Sequence, residues 1–186
     1  MVLVVSAMKG AFWTLGAGKY RAVELLRDGR RVEIRALRPD DRANMLDAAA
    51  RLSAQSLYRR FFGAKSDFSE KEKAFYLNVD FVNHVALVVT IEEGGRTDIV
   101  GRARYIVVQP STAEVAFAVV DEFQGRGIGT TLIRHLTLLA RKAGLKEFIA
   151  EVLPENAAML KVFEKSGLNV VTRRDAGVIH VRLQIS

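Results

Sequence analysis

The chain has 186 residues, 49% of them hydrophobic and 26% charged, which is the balance of an ordinary globular protein with one domain-sized core. Its 28 Lys and Arg outnumber 21 Asp and Glu, and the net charge of +7 favours anionic partners without choosing among them. The chain has no cysteine, which excludes disulfides, thiolate catalysis and cysteine zinc sites. Its three histidines do not have a metal-ligand spacing, so we expect no metal.

Residues 1–30 are predicted to form a leader and extension ahead of a single domain over residues 31–186. Two apolar runs lie in this region, residues 1–8 and 11–17, and Lys9 and Gly10 separate them. Neither run has the ~18 apolar residues that a membrane span needs. No positive charge precedes the first run, as a secretion signal would require. We therefore expect a cytoplasmic protein without a membrane partner.

The remaining sequence predicts a mixed α/β domain. Apolar residues at alternate positions predict a first strand over residues 31–37, and helical spacing predicts helices over 43–52 and 53–62. A third helix is predicted to begin after Ser69, with Glu72 three residues later as its capping partner. The later elements are, in order, strands over 84–92, 99–108 and 114–120, a helix over 127–143, a strand over 147–153, a helix over 157–165 and a hairpin of 168–174 with 178–185.

A glycine-rich segment, residues 122–131 (EFQGRGIGTT), follows a predicted strand and begins the long helix. Alternate glycines let the backbone turn sharply and approach a ligand, and the free N–H groups of the helix start form an anion site. Arg126 adds a positive charge to this loop. The spacing fits neither the G-x-G-x-x-G dinucleotide motif nor the Walker A motif.

The loop instead contains Gln124-x-x-Gly127-x-Gly129, and with this pattern the chain resembles the GNAT (Gcn5-related N-acetyltransferase) superfamily from about Arg31 to its end. Asn156 and the segment 165–168 match later family motifs. The resemblance implies an α/β (α+β) fold with a mixed, mostly antiparallel central sheet flanked by helices and splayed between the fourth and fifth strands. It also implies an acetyl-CoA-dependent N-acetyltransferase.

The resemblance places the CoA-binding residues by position. Backbone amides of the loop would hold the pyrophosphate, the backbone of two strand residues would pair with the pantetheine arm, and one asparagine would contact CoA from the following helix. That asparagine also suits a helix N-cap, and the two roles are compatible. The cofactor-binding residues so predicted are Phe117, Val119, Gln124, Gly125, Arg126, Gly127, Ile128, Gly129, Thr130 and Asn156.

Glu114 is the predicted catalytic base, because a lysine amine with a pKa near ~10.4 must lose a proton before it can attack. In the family a glutamate at this place serves protein lysine acetyltransferases, and the alternating pattern puts two alanines beside it. The alternative is a solvated strand residue. A backbone N–H near Val119 would stabilise the oxyanion. Phe163 stands where many members have a tyrosine that acts as general acid, which leaves that step open.

The acceptor is less defined by the sequence. Residues 52–62 and 78–88 resemble the bacterial Pat-type protein lysine acetyltransferases, which implies a protein acceptor such as an acyl-CoA synthetase. A small-molecule amine acetyltransferase and a non-catalytic CoA-binding module remain open. No basic stripe interleaved with aromatic residues indicates nucleic-acid binding. His84 is interpreted as a packed or rim residue, and Arg59-Arg60 either meet an acidic substrate or are solvated.

Overall fold

The computed structural model describes residues 16–63 and 68–185, and these form an eight-stranded sheet in the order β1-β2-β3-β4-β5-β6-β8-β7. The strands are β1 (Arg21–Leu25), β2 (Arg31–Ala36), β3 (His84–Glu93), β4 (Arg96–Gln109), β5 (Thr112–Val119), β6 (Glu147–Val152), β7 (Asn169–Asp175) and β8 (Val178–Gln184). All neighbours pair antiparallel except β5 and β6, which are parallel. The predicted fold class is confirmed.

Five helices cover the two faces of the sheet: α1 (Arg42–Ala50), α2 (Ala54–Phe61), α3 (Glu70–Leu77), α4 (Ile128–Lys142) and α5 (Ala157–Glu164). The predicted capping box at Ser69 and Glu72 is confirmed at the start of α3. Helix α4 lies so close to β4 that a Cβ on Gly101 would stand 2.6 Å from Ile128. On the opposite face, Arg102 of β4 faces the Tyr76 ring of α3. No helix in the described ranges is long and apolar enough to cross a membrane.

Strands β5 and β6 separate after a short parallel contact. Their pairing covers only residues 112–114 of β5 with residues 147–149 of β6. Strand β5 then runs on to Val119 and β6 to Val152 without pairing to each other. This is the predicted splay, and the strands are now numbered fifth and sixth because β1 precedes the first predicted strand.

Strand β1 corrects the predicted boundary at residue 31. Its five residues pair with β2 in unbroken register, so the sheet begins inside the predicted leader. The strand was missed because it is a half-exposed edge strand, with two charged side chains among five residues and an intermediate burial pattern. Residues 1–15 of the predicted leader, with the first apolar run, lie outside the described residues.

Side chains of β1 and the residue before it attach this edge of the sheet to α4. The Tyr20 hydroxyl is hydrogen-bonded to His135 Nδ1, and His135 Nε2 lies 3.1 Å from Glu24 Oε1. Arg134 forms a salt bridge of 2.7 Å with the same carboxylate. Burial raises the pKa of Tyr20 to about 12 and lowers the pKa of His135. These contacts hold β1 against the middle of α4.

Candidate active site

A cleft of about 400 Å³ lies where β5 and β6 separate. Its walls come from both strands, the glycine loop, the first turn of α4, α5 and the end of α2. Ten of the eleven predicted site residues line it: Glu114, Phe117, Val119, Gln124, Gly125, Gly127, Ile128, Gly129, Thr130 and Asn156. The structure thus brings together residues that are up to 42 positions apart in the sequence.

The glycine loop ends in the free N–H groups of α4. Gly127 is the N-cap and has a φ of 95°, a conformation that favours glycine. The first helical hydrogen bond runs from the Thr131 N–H to the Gly127 carbonyl, so the N–H groups of residues 128–130 have no acceptor within the helix. Such groups at the positive end of a helix dipole form an anion site. This end of the cleft can hold phosphate.

Gly129 allows α4 and α5 to approach each other at the cleft. A Cβ at this position would stand 2.8 Å from Cγ2 of Val162, closer than atoms tolerate. The second glycine of the motif therefore has a packing role as well as lining the cleft.

The Gln124 side chain connects the glycine loop to neighbouring elements through hydrogen bonds. Its Nε2 lies 3.1 Å from the Val119 carbonyl, 3.1 Å from Asp121 Oδ1 and 3.2 Å from Ser56 Oγ. Burial alone would raise the pKa of Asp121, but hydrogen bonds from Ser53 and Ser56 outweigh it and lower that pKa. Gln124 thus joins the end of β5, the loop and α2.

Arg126 does not line the cleft, and its cofactor contact through the loop amides stays a prediction. Its guanidinium forms a 2.6 Å salt bridge with Asp28 in the β1–β2 turn and donates two hydrogen bonds to the Glu122 carbonyl. Hydrogen bonds from Arg30 and Arg126 hold the pKa of Asp28 well below its usual range. The charge of Arg126 therefore attaches the β1–β2 turn to the loop.

Arg27 is a cleft residue that the sequence analysis missed. It lies in the β1–β2 turn, and its Nε stands 3.4 Å from where a Cβ on Gly127 would be. The turn residues Asp28-Gly29 between two short alternating runs could have indicated this hairpin. Seven charged residues line the cleft, five of them basic and two acidic: Arg27, Arg59, Arg60, Lys161, Lys165, Glu114 and Glu151. The excess of positive charge suits a ligand with several phosphates.

The edge of β5 offers backbone groups to the cleft. Val120 N–H donates to the Val100 carbonyl on β4, and peptide groups alternate sides along a strand. Phe117 and Val119 therefore direct their N–H groups towards β6. Because β6 pairs only with residues 112–114, these two N–H groups lie beyond the end of the parallel pairing.

Two residues of the last cleft wall have visible packing roles. Asn156 caps α5, with Oδ1 accepting a hydrogen bond from the Met159 N–H at 3.2 Å, as predicted for its N-cap role. Phe163 is 2% exposed and packs edge-on against Phe117, with ring centroids 5.9 Å apart. The cleft therefore has an apolar ring, without a hydroxyl, at this position.

Glu114 lies at the other end of β5 from the glycine loop. It is exposed, it is the last residue of β5 that pairs with β6, and it shares the cleft with Ala116 and Ala118. About 16 Å of strand separates it from Val119, at ~3.3 Å per residue. A carboxylate is therefore available to an amine that enters from this end. The described ranges contain no group of three or more His, Cys, Asp or Glu arranged to hold a metal ion.

Comparison with known proteins identifies the family. Residues 51–168 match the model of the acetyltransferase (GNAT) family. The chain is 32% identical to acetyltransferase Pat of Mycolicibacterium smegmatis over 86% of this chain and 47% of the relative, so it spans about half the length of that protein. It is 31% identical to acetyltransferase PA5475 of Pseudomonas aeruginosa, over 83% of this chain and 78% of the relative.

A solved structure agrees with the sequence matches. The GNAT domain of S. lividans PAT superposes with a TM-score of 0.80 at 32% identity, covering 88% of this chain and 96% of that domain. The splayed sheet and the glycine loop define the class of the protein as an acyl-group transferase of GNAT architecture. The chain belongs to the GNAT acetyltransferase family. These matches support the predicted enzyme class, an acetyl-CoA-dependent N-acetyltransferase.

Proposed function

We propose that this protein moves the acetyl group of acetyl-CoA to the side-chain amine of a lysine in an acceptor protein, with Glu114 as general base. The observation that carries the proposal is the position of Glu114 in the same cleft as the phosphate-binding start of α4. A donor held by the loop and an amine held near Glu114 would meet between the two ends of β5.

The residues of the cleft fit acetyl-CoA. The N–H groups of residues 128–130 and the side chain of Arg27 would hold the pyrophosphate, and the unpaired backbone edge at Phe117 and Val119 would hold the pantetheine arm. Asn156, at the start of α5, would contact CoA from the other wall. When bound, acetyl-CoA supplies a thioester carbonyl as the acetyl donor.

Glu114 has the central chemical role in this proposal. Its carboxylate takes a proton from the acceptor ammonium, directly or through one water, and releases a neutral amine for attack. The new C–N bond forms as the C–S bond breaks, while the Phe117 N–H, the unpaired edge group of β5 nearer to Glu114, stabilises the oxygen of the reacting carbonyl. Phe163 has no O–H group, so solvent water supplies the proton taken up by the CoA thiolate.

A protein acceptor is favoured over a small amine by the surface around the Glu114 end. Helices α2 and α3 expose three aromatic side chains there: Tyr58 (45%), Phe62 (41%) and Phe75 (51%). Phe62 also lines the cleft. Exposed aromatic groups at the entrance of a site are typical of a surface that contacts a macromolecule. Similarity to Pat supports an acyl-CoA synthetase as the first acceptor to test.

The proposal is tested by acetyl-lysine mass spectrometry on a purified bacterial acyl-CoA synthetase, incubated with acetyl-CoA and this protein. We expect one lysine to be acetylated by the wild type and by a Glu92→Gln control, which changes an exposed carboxylate at the far end of β3. Acetylation in the Glu114→Gln variant should be about 100- to 10,000-fold slower. If the wild type acetylates small amines but not the synthetase, the acceptor is a small amine and not a protein. Tight acetyl-CoA binding without any transfer would indicate a non-catalytic module.

A further inference from the structure

Three arginines form a cluster on the α2–α3 side of the sheet, here called the arginine cluster: Arg60, Arg102 and Arg104. Arg102 and Arg104 lie on β4 directly across from Ala118 and Ala116 of β5. Their guanidinium carbons stand 5.6 Å and 4.3 Å from the centre of the Tyr76 ring. Arg104 is 5% exposed, and the other two are half-buried.

The arginine cluster forms no salt bridge in the part of the chain that the structure describes, although the Glu114 charge acts on Arg60. None of its three members forms a salt bridge with a carboxylate of residues 16–63 or 68–185. Arg104 donates instead to His84 Nε2, at 3.1 Å, which requires a neutral imidazole. Burial lowers the pKa of His84 to about 4, and the nearby Arg104 charge adds to the effect. His84 is thus a packed residue, as predicted.

All three arginines keep their charge at neutral pH. Burial lowers the pKa of Arg102 to about 10 and that of Arg104 to about 9, both well above 7. Burial also lowers the pKa of Arg60, and interactions with Tyr76 and with the Glu114 carboxylate oppose this. Partly buried cations without a salt-bridge partner are costly, and the face of one tyrosine ring offsets only part of that cost. An arrangement of this kind is typical of a site that an anionic ligand completes.

The cleft gives a ligand access to Arg60, whereas Arg102 and Arg104 do not line it. Arg60 lines the cleft, and so does its neighbour Arg59, whose Nε is buried and has no hydrogen-bond partner. Both come from the last turn of α2 and line the same cleft as Glu114. The charge of Glu114 acts on Arg60, whereas the charge of Arg59 acts on Asp121 beside the glycine loop, so Arg60 is the member nearer to the accepting amine.

We propose that Arg60, with Arg59 beside it in the cleft wall and Arg102 and Arg104 behind it, forms a subsite that binds a carboxylate of the acceptor, so that the enzyme selects amines with an acidic group close by. The inference rests on the proposed function in placing the acceptor at the Glu114 end. Planar guanidinium groups pair with carboxylates through two parallel hydrogen bonds, which favours this anion. Since Arg60 and Glu114 line one opening, the carboxylate belongs within a residue or two of the accepting amine.

The test is an equilibrium binding measurement that needs no turnover. A fluorescent peptide with lysine between two glutamates, and a matched peptide with two glutamines, are titrated with protein saturated with CoA. We expect the acidic peptide to bind about tenfold tighter, as for a charged contact worth one order of magnitude. Free lysine and lysinamide are a second matched pair, and each is measured as a competitor of the fluorescent peptide. If only this pair shows a preference for the compound with a carboxylate, the acceptor is a free amino acid.

Variants decide whether the preference comes from the subsite. Arg60→Gln and, separately, Arg59→Gln should remove most of the difference between the two peptides, and Arg60→Lys should keep part of it. The control is Arg96→Gln, an exposed arginine paired with Asp98 at the β3–β4 turn, which should leave the difference unchanged. Thermal unfolding and acetyl-CoA affinity of each variant show whether the fold is intact, and Arg59→Gln serves if Arg60→Gln unfolds.

Two results overturn the subsite: equal binding of the two members of both pairs by the wild type, or an unchanged preference in Arg59→Gln and Arg60→Gln. Turnover is measured separately with the same peptides. Acetylation of both peptides at equal rates would contradict the subsite alone. An acidic preference in binding without any acetylation would contradict the proposed function and leave the subsite standing.

Discussion

The two ends of the cleft are built in different ways. The phosphate end consists of backbone: a left-handed Gly127, the first turn of α4 and the unpaired edge of β5. The proposed acceptor end consists of side chains from two elements, with Glu114 on β5 and Arg60 on α2. A site built from backbone groups requires glycines at fixed spacing, and this spacing can be recognised within a sequence segment of ten residues. A side-chain site depends on pairing between distant elements, and only a structure shows it.

A buried ion pair between β2 and the start of α1 gives the largest expected change in stability. Asp41, at the start of α1, accepts two hydrogen bonds of 2.7 Å from Arg35 on β2, and both side chains are buried. Removing one partner of a buried pair leaves the other charge unpaired, so Asp41→Ala should lower the free energy of unfolding by about 3–5 kcal/mol. Urea unfolding followed by circular dichroism measures this, and a change under 1 kcal/mol would remove the pair from the account.

The same carboxylate predicts how stability depends on pH. Burial alone would raise the pKa of Asp41, but hydrogen bonds from Arg35 and from the Arg38 backbone outweigh it and lower that pKa. The contribution is therefore present above the unfolded pKa of ~3.9 and is lost as the pH falls through the lower folded value. Unfolding curves at pH 7 and at pH 3 should differ less in Asp41→Asn than in the wild type.

A substitution at the close contact of α4 with α5 tests how the backbone end of the cleft is positioned. Gly129→Ala should lower the free energy of unfolding by about 1–3 kcal/mol, because the new Cβ meets Val162, and it should weaken acetyl-CoA binding. The double variant Gly129→Ala with Val162→Ala removes the clash. If it does not recover acetyl-CoA affinity beyond the single variant, the contact does not position the loop.

Substitution of Arg27 has the smallest expected effect, and it tests whether a side chain also binds phosphate at the backbone end of the cleft. Arg27→Gln should raise the Kd for acetyl-CoA about tenfold through loss of one charged contact with phosphate, with kcat nearly unchanged. Arg173→Gln is a suitable control, because Arg173 is an exposed arginine on β7 paired with Asp175. Equal Kd values for the Arg27 variant and the wild type would mean that the β1–β2 turn only packs against the loop.

The difference between the two ends of the cleft explains which parts of the site could be predicted from the sequence. Periodicity and one capping box located the helices and the strands from residue 31 onward, and the GNAT resemblance, carried by the glycine spacing, placed ten residues that line the cleft. The sequence does not show that Asp28 pairs with the Arg126 side chain, because the two residues are far apart in the chain. Arg27 was not predicted beside the loop because β1 is a short edge strand, and Arg102 and Arg104 were not placed beside Arg60 because cross-strand neighbours are far apart in the sequence.

The central claim is that one cleft holds the acetyl donor at its backbone end and activates the amine at Glu114. The most direct test measures acetyl-CoA Kd by calorimetry and single-turnover acetyl transfer in the wild type and in Glu114→Gln. The account predicts an unchanged Kd and transfer slowed about 100- to 10,000-fold. Equal transfer rates in the two proteins across several pH values would contradict it and remove Glu114 from the chemistry.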